Sequence, residues 1–165
     1  MPLPFAPRLP LPKPPTGIIN NLPRLLFNPV RHSPFILQRL LLENVLRHVF
    51  AEAIKDGEFE FLHNRFLKVE ISDIGLAWFF SFNGRQLTIQ RYGRADARIC
   101  GELREFLLLM GRQEDPDTLF FQRRLQIDGD TELGLEIKNM LDTIDLDNLP
   151  APLRKGLQRL TALLA

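Results

Sequence analysis

Cysteine is almost missing from this chain. Cys100 stands alone, so no disulfide can close within the sequence, and a reducing, intracellular setting is the expectation. Long apolar runs are missing too: nothing reaches the roughly 18 uninterrupted apolar residues of a membrane-crossing helix. The opening MPLPFAPRLPLPKPP is too rich in proline to form the apolar helical segment of a secretory signal, and a cytoplasmic protein is expected. Aromatics with a polar handle are scarce, with one Trp and one Tyr against thirteen Phe. Phe supplies bulk and no hydrogen bond, which suits a large core or an apolar cavity.

Acids are missing from both ends. Residues 1–42 carry five Arg or Lys and no Asp or Glu, and after Asp147 only Arg154, Lys155 and Arg159 are charged. The middle, 43–148, holds thirteen bases against twenty acids. Basic ends on an acidic body do not make a general nucleic-acid surface, so no nucleic-acid partner is expected. They suit contact with anionic lipid headgroups at a phospholipid membrane, or they are charge sorting without purpose.

Catalytic signatures are missing as well. There is no P-loop, no glycine-rich dinucleotide fingerprint and no nucleophile elbow. His32, His48 and His63 fall on a loop, on a polar helix side and in a turn, and none pairs with another at metal-ligand spacing. Asp128-Gly129-Asp130-Thr131-Glu132 lacks the spacing and terminal Glu of a calcium loop; a turn before an acid-favoured helix start explains it better. Cys100 reads as a small core residue. No metal, cofactor or catalysis is expected.

What is present is pattern. Residues 1–16 contain seven prolines and predict a disordered or extended tail. A short amphipathic helical segment follows within 17–32, with Ile18, Leu22, Leu25 and Leu26 apolar and Pro23 weakening it. Ser33-Pro34 predicts an N-cap and first helical residue, opening a helix that runs to about Asp56 and stops at Gly57. Phe35, Leu42, Val45, Leu46, Val49, Phe50 and Ala53 form its stripe.

The period then becomes two. FLKVEIS (66–72), LAWFFSF (76–82), QLTIQRY (86–92) and ADARIC (95–100) alternate, with Asn83-Gly84 a hairpin signal between the second and third. The four predict an antiparallel meander with one buried face. Helical spacing returns at 102–111. A short turn bears Leu119, Phe120 and Phe121, RRLQID (123–128) is a fifth strand, and a helix spans about 130–144. A last amphipathic helix occupies 149–165 with Leu153, Leu157, Leu160 and Leu164 on one stripe. The fold class is α+β: a single, mainly antiparallel sheet of about five strands, covered by helices around an apolar cavity.

Phe106, Leu107, Met110, Phe120, Phe121, Ile137, Met140 and Leu141 gather on one side of that sheet. A packed core and an apolar pocket draw on the same residue types, and the residues alone leave both open.

ADARICG, ELREFLLLMG and EDPDTLFFQRRLQIDGDTELGLEIKNML, in that order, resemble the sterol carrier protein type 2 domain. The counterparts are Asp115-Pro116, Phe120-Phe121, Leu125-Gln126-Ile127, Gly129-Asp130 and the helix through Met140-Leu141, within a domain of 33–148. DPDTLFFQRRL, DGDTELGLEIKN, Pro34-Phe35 and DGEFEFLHNRFLKVEISDIGLAWF narrow the resemblance to the accessory factors of oxygen-independent ubiquinone synthesis. That resemblance implies a non-catalytic accessory protein that holds the prenyl tail of ubiquinone precursors and works beside the UbiU–UbiV proteins and other pathway enzymes. The residues it implies against lipid are Phe35, Leu46, Val49, Phe50, Trp78 and Phe80, together with the eight above. Arg24, Arg31, Arg154, Lys155 and Arg159 are the expected membrane contacts; packing on the body or in a homodimer is the alternative use of their helices. An interaction scaffold with a packed core is the rival reading of the whole chain.

Overall fold

The computed structural model describes residues 16–144 and 146–164; the proline-rich tail expected at the start lies outside them, but for Thr16. Helices α1 (Thr16–His32), α2 (Phe35–Val49) and α3 (Ala51–Lys55) precede strands β1 (Leu67–Ile71), β2 (Leu76–Phe82), β3 (Leu87–Gln90) and β4 (Ala97–Gly101). Then come α4 (Leu103–Met110), α5 (Pro116–Phe121), β5 (Leu125–Gly129), α6 (Thr131–Asp142) and α7 (Ala151–Leu164).

The first helix is longer than expected and carries Pro23 and Pro29 within it. The second begins at Phe35, and Ser33 does not cap it; its hydroxyl donates to Val30 O at 2.7 Å and closes the end of α1 instead. The expected single helix to Asp56 is bent at Phe50, whose φ of −106° divides α2 from α3. The chain turns away at Gly57, as expected, with φ +76°.

The five strands form one sheet in the order β3-β2-β1-β4-β5. The hairpin lies where Asn83 predicts it, one position on: Asn83 and Gln86 close the loop and Gly84, at φ +87°, is its first residue. The Asn83 side chain accepts the N–H groups of Arg85 and Gln86, both at 2.9 Å.

The meander does not extend to the fourth strand. β4 pairs in parallel with β1, Leu67 beside Ala97 and Ile71 beside Gly101, on the far side from β2. Two features cause this. The outer edge of β3 is occupied, because α2 packs along it and Glu43 Oε1 accepts the Ile89 N–H at 3.1 Å. The start of β4 is clamped to β1: Asp96 N–H donates to Phe66 O at 2.8 Å and its carboxylate accepts the Phe66 N–H at 2.8 Å. The linking residues cross the open face of the sheet, with Gly93 against the Phe79 ring, where a Cβ would stand 3.4 Å from Cδ1.

Alternation sorts the two faces as expected. Leu67, Ile71, Trp78, Phe82, Ile89, Ala97 and Ile99 are buried under the helices. On the other face Glu70 lies between Arg98 (3.1 Å) and Lys68 (2.7 Å), and these two cations hold its carboxyl down at about 2. The last helix packs on the body, against α1 and α4. Thr161 is fully buried against Gly111, where any side chain would collide with it at 2.5 Å.

Candidate functional site

Two helices and the short turn Glu60–Leu62, which packs on β2 and α6, cover the buried face of the sheet. α2 packs on β3, and α6 packs on β4 and β5, so the central strands β1 and β2 lie between the two helices. In a sealed core the middle of a central strand is its driest point. Here Val69, midway along β1 on the covered face, is only half-buried although Leu67 and Ile71 at either end are buried. Phe80 on β2 is likewise half-buried between Trp78 and Phe82, which are buried.

Side chains from the surrounding helices share that condition. Leu46 of α2, Phe106 of α4, and Met140 and Leu141 of α6 are all half-buried and apolar. Four of the residues are also junctions. Phe106 touches all three clusters of buried side chains, while Leu46, Phe80 and Leu141 each touch two. Leu46, Val69, Phe80, Phe106, Met140 and Leu141 thus outline an apolar seam packed against the central buried cluster, none of them fully buried. The Glu70–Arg98 pair sits on the opposite face of the sheet.

Five of these six are residues the sequence predicts against lipid; Val69 is the one it misses. Other predicted residues serve the core. Ile137, Leu107 and Trp78 are buried, and so is Val49. Trp78 Nε1–H donates to Gln38 Oε1 at 3.0 Å, while Gln38 Nε2 donates to Val30 O and Ser33 O. This buried amide ties the α1–α2 joint to β2, and only its position on an otherwise apolar helix side hinted at it. Phe50 packs edge-on against Phe59 with ring centroids 5.1 Å apart, and Phe35 packs in the second cluster with Trp78. Met110 faces a small depression beside Leu157. Phe120 is half-buried beside Leu119 and Leu125, but Phe121 is 90% exposed at the end of α5 and does not reach the seam. Successive helical residues project about 100° apart, and α5 meets the body only on the side of Leu119 and Phe120.

The expected membrane-contact bases have mixed fates. Arg24 is held by Asp73 at 2.9 Å and Glu102 at 3.5 Å. The Arg31 guanidinium lies over Gly75. Arg154 donates to Asp147 O at 2.9 Å, while Lys155 and Arg159 are exposed. A larger unpartnered surface is elsewhere: Ile36, Leu37, Leu40 and Leu41 of α2 are all exposed on the outside of the helix that borders the seam.

His32 and His48 each donate from Nδ1 to the carbonyl four residues earlier, at 3.1 and 2.7 Å. Among the described residues no group of three His, Cys, Asp or Glu side chains is arranged to hold a metal, and no helix is long and apolar enough to cross a membrane.

The chain is similar to known proteins in sequence and in fold. Residues 42–142 match the SCP-2 sterol transfer family. The ubiquinone biosynthesis accessory factor UbiT of Escherichia coli K12 is 45% identical over 143 residues, 87% of this chain and 82% of its own, and the UbiT of E. coli O157:H7 matches to the same extent. Among solved structures, the ubiquinone synthesis protein UbiJ-SCP2 superposes with a TM-score of 0.55 over 67% of this chain and 93% of its own, at 20% identity. With a family match spanning most of the chain and a relative this similar, the chain belongs to the SCP-2 sterol transfer family.

Proposed function

We propose that the chain is a non-catalytic accessory protein of ubiquinone biosynthesis that holds the prenyl tail of a pathway intermediate in the seam between α2 and α6. The observation that carries this is the half-burial of Val69 and Phe80 at the middle of the covered face, ringed by apolar side chains from three helices. A prenyl tail exposed to water costs about 25 cal/mol for each Å² of apolar surface. An apolar seam covers such a tail and leaves the polar ring outside for an enzyme to reach. The identity to UbiT supports the pathway. Oxygen-independent synthesis and work beside UbiU–UbiV belong to the same proposal, as does uptake of the lipid from a membrane surface that the α2 leucines and the Lys155–Arg159 helix side touch.

The test is solvent extraction of the purified protein followed by mass spectrometry. Ubiquinone or an early prenylated precursor, near one per protein, is the expected result. An empty extract, repeated from cells making quinone without oxygen, overturns the carrier. The exposed stripe Ile36, Leu37, Leu40 and Leu41 favours a second reading, an interaction scaffold whose α2 binds a pathway enzyme. Leu40→Asp then abolishes enzyme capture while lipid content stays at zero in both forms.

A further inference from the structure

The sheet has two edges, and the protein guards only one. Along β3, α2 and the Glu43 carboxylate cover the outward N–H of Ile89. β5 is the other edge. There Asp130 N–H donates to Asp96 O at 2.9 Å, which fixes the alternation of the β4–β5 ladder. Residues paired in the same phase, Asp128 with Arg98 and Gln126 with Cys100, exchange hydrogen bonds with β4. The N–H and C=O groups of Leu125, Ile127 and Gly129 therefore point away from the sheet. Among the described residues no loop or side chain meets them.

They open instead into a groove of about 580 Å³ between β5 and α6, bordered by Phe120, Arg123, Leu135 and Lys138. Its rim is mixed, with Leu135 58% exposed between the charged Arg123, Asp128 and Lys138. A free edge of outward N–H and C=O groups invites another strand, and proteins ordinarily block it with a proline, a bulge or a covering element.

The strand itself names the occupant. Arg123 and Arg124 precede it, and Asp128 and Asp130 end it. An antiparallel copy of the same strand brings its acidic end to this basic start. With a twofold axis at Ile127, Leu125 faces the partner's Gly129, so outward groups meet outward groups along the whole edge. Gln126 faces the partner's Asp128. Arg124 comes opposite the partner's Asp130, and Arg123, just beyond the strand, comes near the start of the partner's α6 at Asp130, Thr131 and Glu132. Arg123 makes no ion pair among the described residues, whereas Arg124 is already bound to Glu105 and Glu114 at 2.5 Å. The free cation is thus the one placed nearest to unshared acids of the other copy.

We propose that β5 pairs antiparallel with β5 of a second copy of this chain about a twofold axis at Ile127, joining two five-stranded sheets into one. Opposed residues of such a pair point to the same face. Both helix layers then lie on one side of the joined sheet, and the half-buried Ile127 of each copy is covered by the other. An extended peptide of another protein would use the same outward groups, but it has no cause to match the order of charges along β5.

The test is sedimentation of the full chain at micromolar concentrations, with amide hydrogen exchange read at Leu125, Ile127 and Gly129. A dimer whose three amides are protected, and lose protection on dilution, is the expected result. Arg123→Glu sets acid against acid and weakens association about tenfold or more. R123E/T131R gives each new acid a base on the partner and recovers the dimer. Arg123 and Thr131 are exposed, and circular dichroism confirms that both variants fold. A monomer at these concentrations overturns the proposal. So does a dimer that Arg123→Glu leaves intact with the three amides freely exchanging, which places the contact elsewhere. Protection that appears only on adding a pathway enzyme makes the occupant a peptide of that enzyme and also overturns it.

Discussion

Helices α2 and α6 lie on the same face of one sheet, are both rich in leucine and isoleucine, and are attached by different forces. The attachment of α6 is apolar: Leu133 and Ile137 are fully buried, and the Asp130 carboxylate caps its start by accepting the Leu133 N–H at 2.8 Å. α2 buries only Gln38 and Val49, while four of its largest apolar side chains face outwards. Besides the partly buried Phe35, Leu42 and Leu46, it is held by polar contacts at two points, Gln38 to Trp78 and to the end of α1, and Glu43 to the edge of β3. Apolar content alone therefore does not say which helix belongs to the core. A segment with few buried apolar contacts opens at lower free energy than one with many. The seam lies between these two helices, so on the proposed function α2 is the side expected to yield to a lipid.

The largest effect that tests this contrast is expected at Ile137. Truncation to Ala leaves a void where nothing polar compensates, and costs about 2–5 kcal/mol of global stability in urea unfolding. A loss below 1 kcal/mol would break the comparison, because α6 would then be no better anchored than its neighbour. Gln38→Ala comes next. It strands the buried Trp78 N–H, while Val30 O keeps its bonds from Ser33, and costs about 1–3 kcal/mol. Its signature is local: amides of α2 exchange faster than those of α6, and a bound lipid leaves sooner. Equal acceleration in both helices would mean that α2 and α6 open as one unit.

Much of this contrast was legible in the sequence, but not its decisive part. The strand at 76–82 and the helix near 103–110 were readable because alternation and helical spacing are local properties. The neighbour of β4 was not, since alternation tells which face a residue occupies and not which strand lies beside it. The parallel pairing with β1 depends on Asp96 reaching Phe66 and on Glu43 occupying the edge of β3, contacts across 30 and 46 positions. Leu46, Phe80, Phe106, Met140 and Leu141 were readable as inward and apolar. That they are half-buried while Ile137 and Leu107 are sealed is a matter of how far two helices stand apart, and no local pattern carries it. Val69 was missed for the same reason, and the pair Phe120-Phe121 gives no sign of which ring faces in.

A smaller effect comes from the open face of the sheet. Arg98 and Lys68 hold Glu70 at about 2 rather than 4.5, so the folded state favours its ionised form. The stability this adds is present above pH 4.5 and is lost as pH falls through about 2, where the folded protein also takes up the proton. Solvent reaches the side chains of this cluster, which keeps the contribution modest. Glu70→Gln should flatten the decline of unfolding free energy across that window. Because the cluster supports the frame beneath both helices, acid should loosen α2 and α6 alike; a loss confined to α2 would show that the two do not share one frame.

The smallest effect on stability, expected at Leu40, is the most informative about function. Its side chain is 61% exposed, so Leu40→Ser gives up little burial and should change unfolding free energy by no more than about 0.5 kcal/mol. Its neighbours Ile36, Leu37 and Leu41 remain, yet the stripe is broken at its centre. If the outer side of α2 is where the protein meets a lipid surface, uptake of a prenyl quinone from vesicles should slow in the variant while the amount held at saturation is unchanged, because the seam lies on the other side of the helix. A variant with wild-type uptake and wild-type stability would leave the outer side of α2 without a role in lipid transfer. A loss of about 2 kcal/mol or more would instead mean that Leu40 is buried in solution, and the distinction between the two helices would disappear.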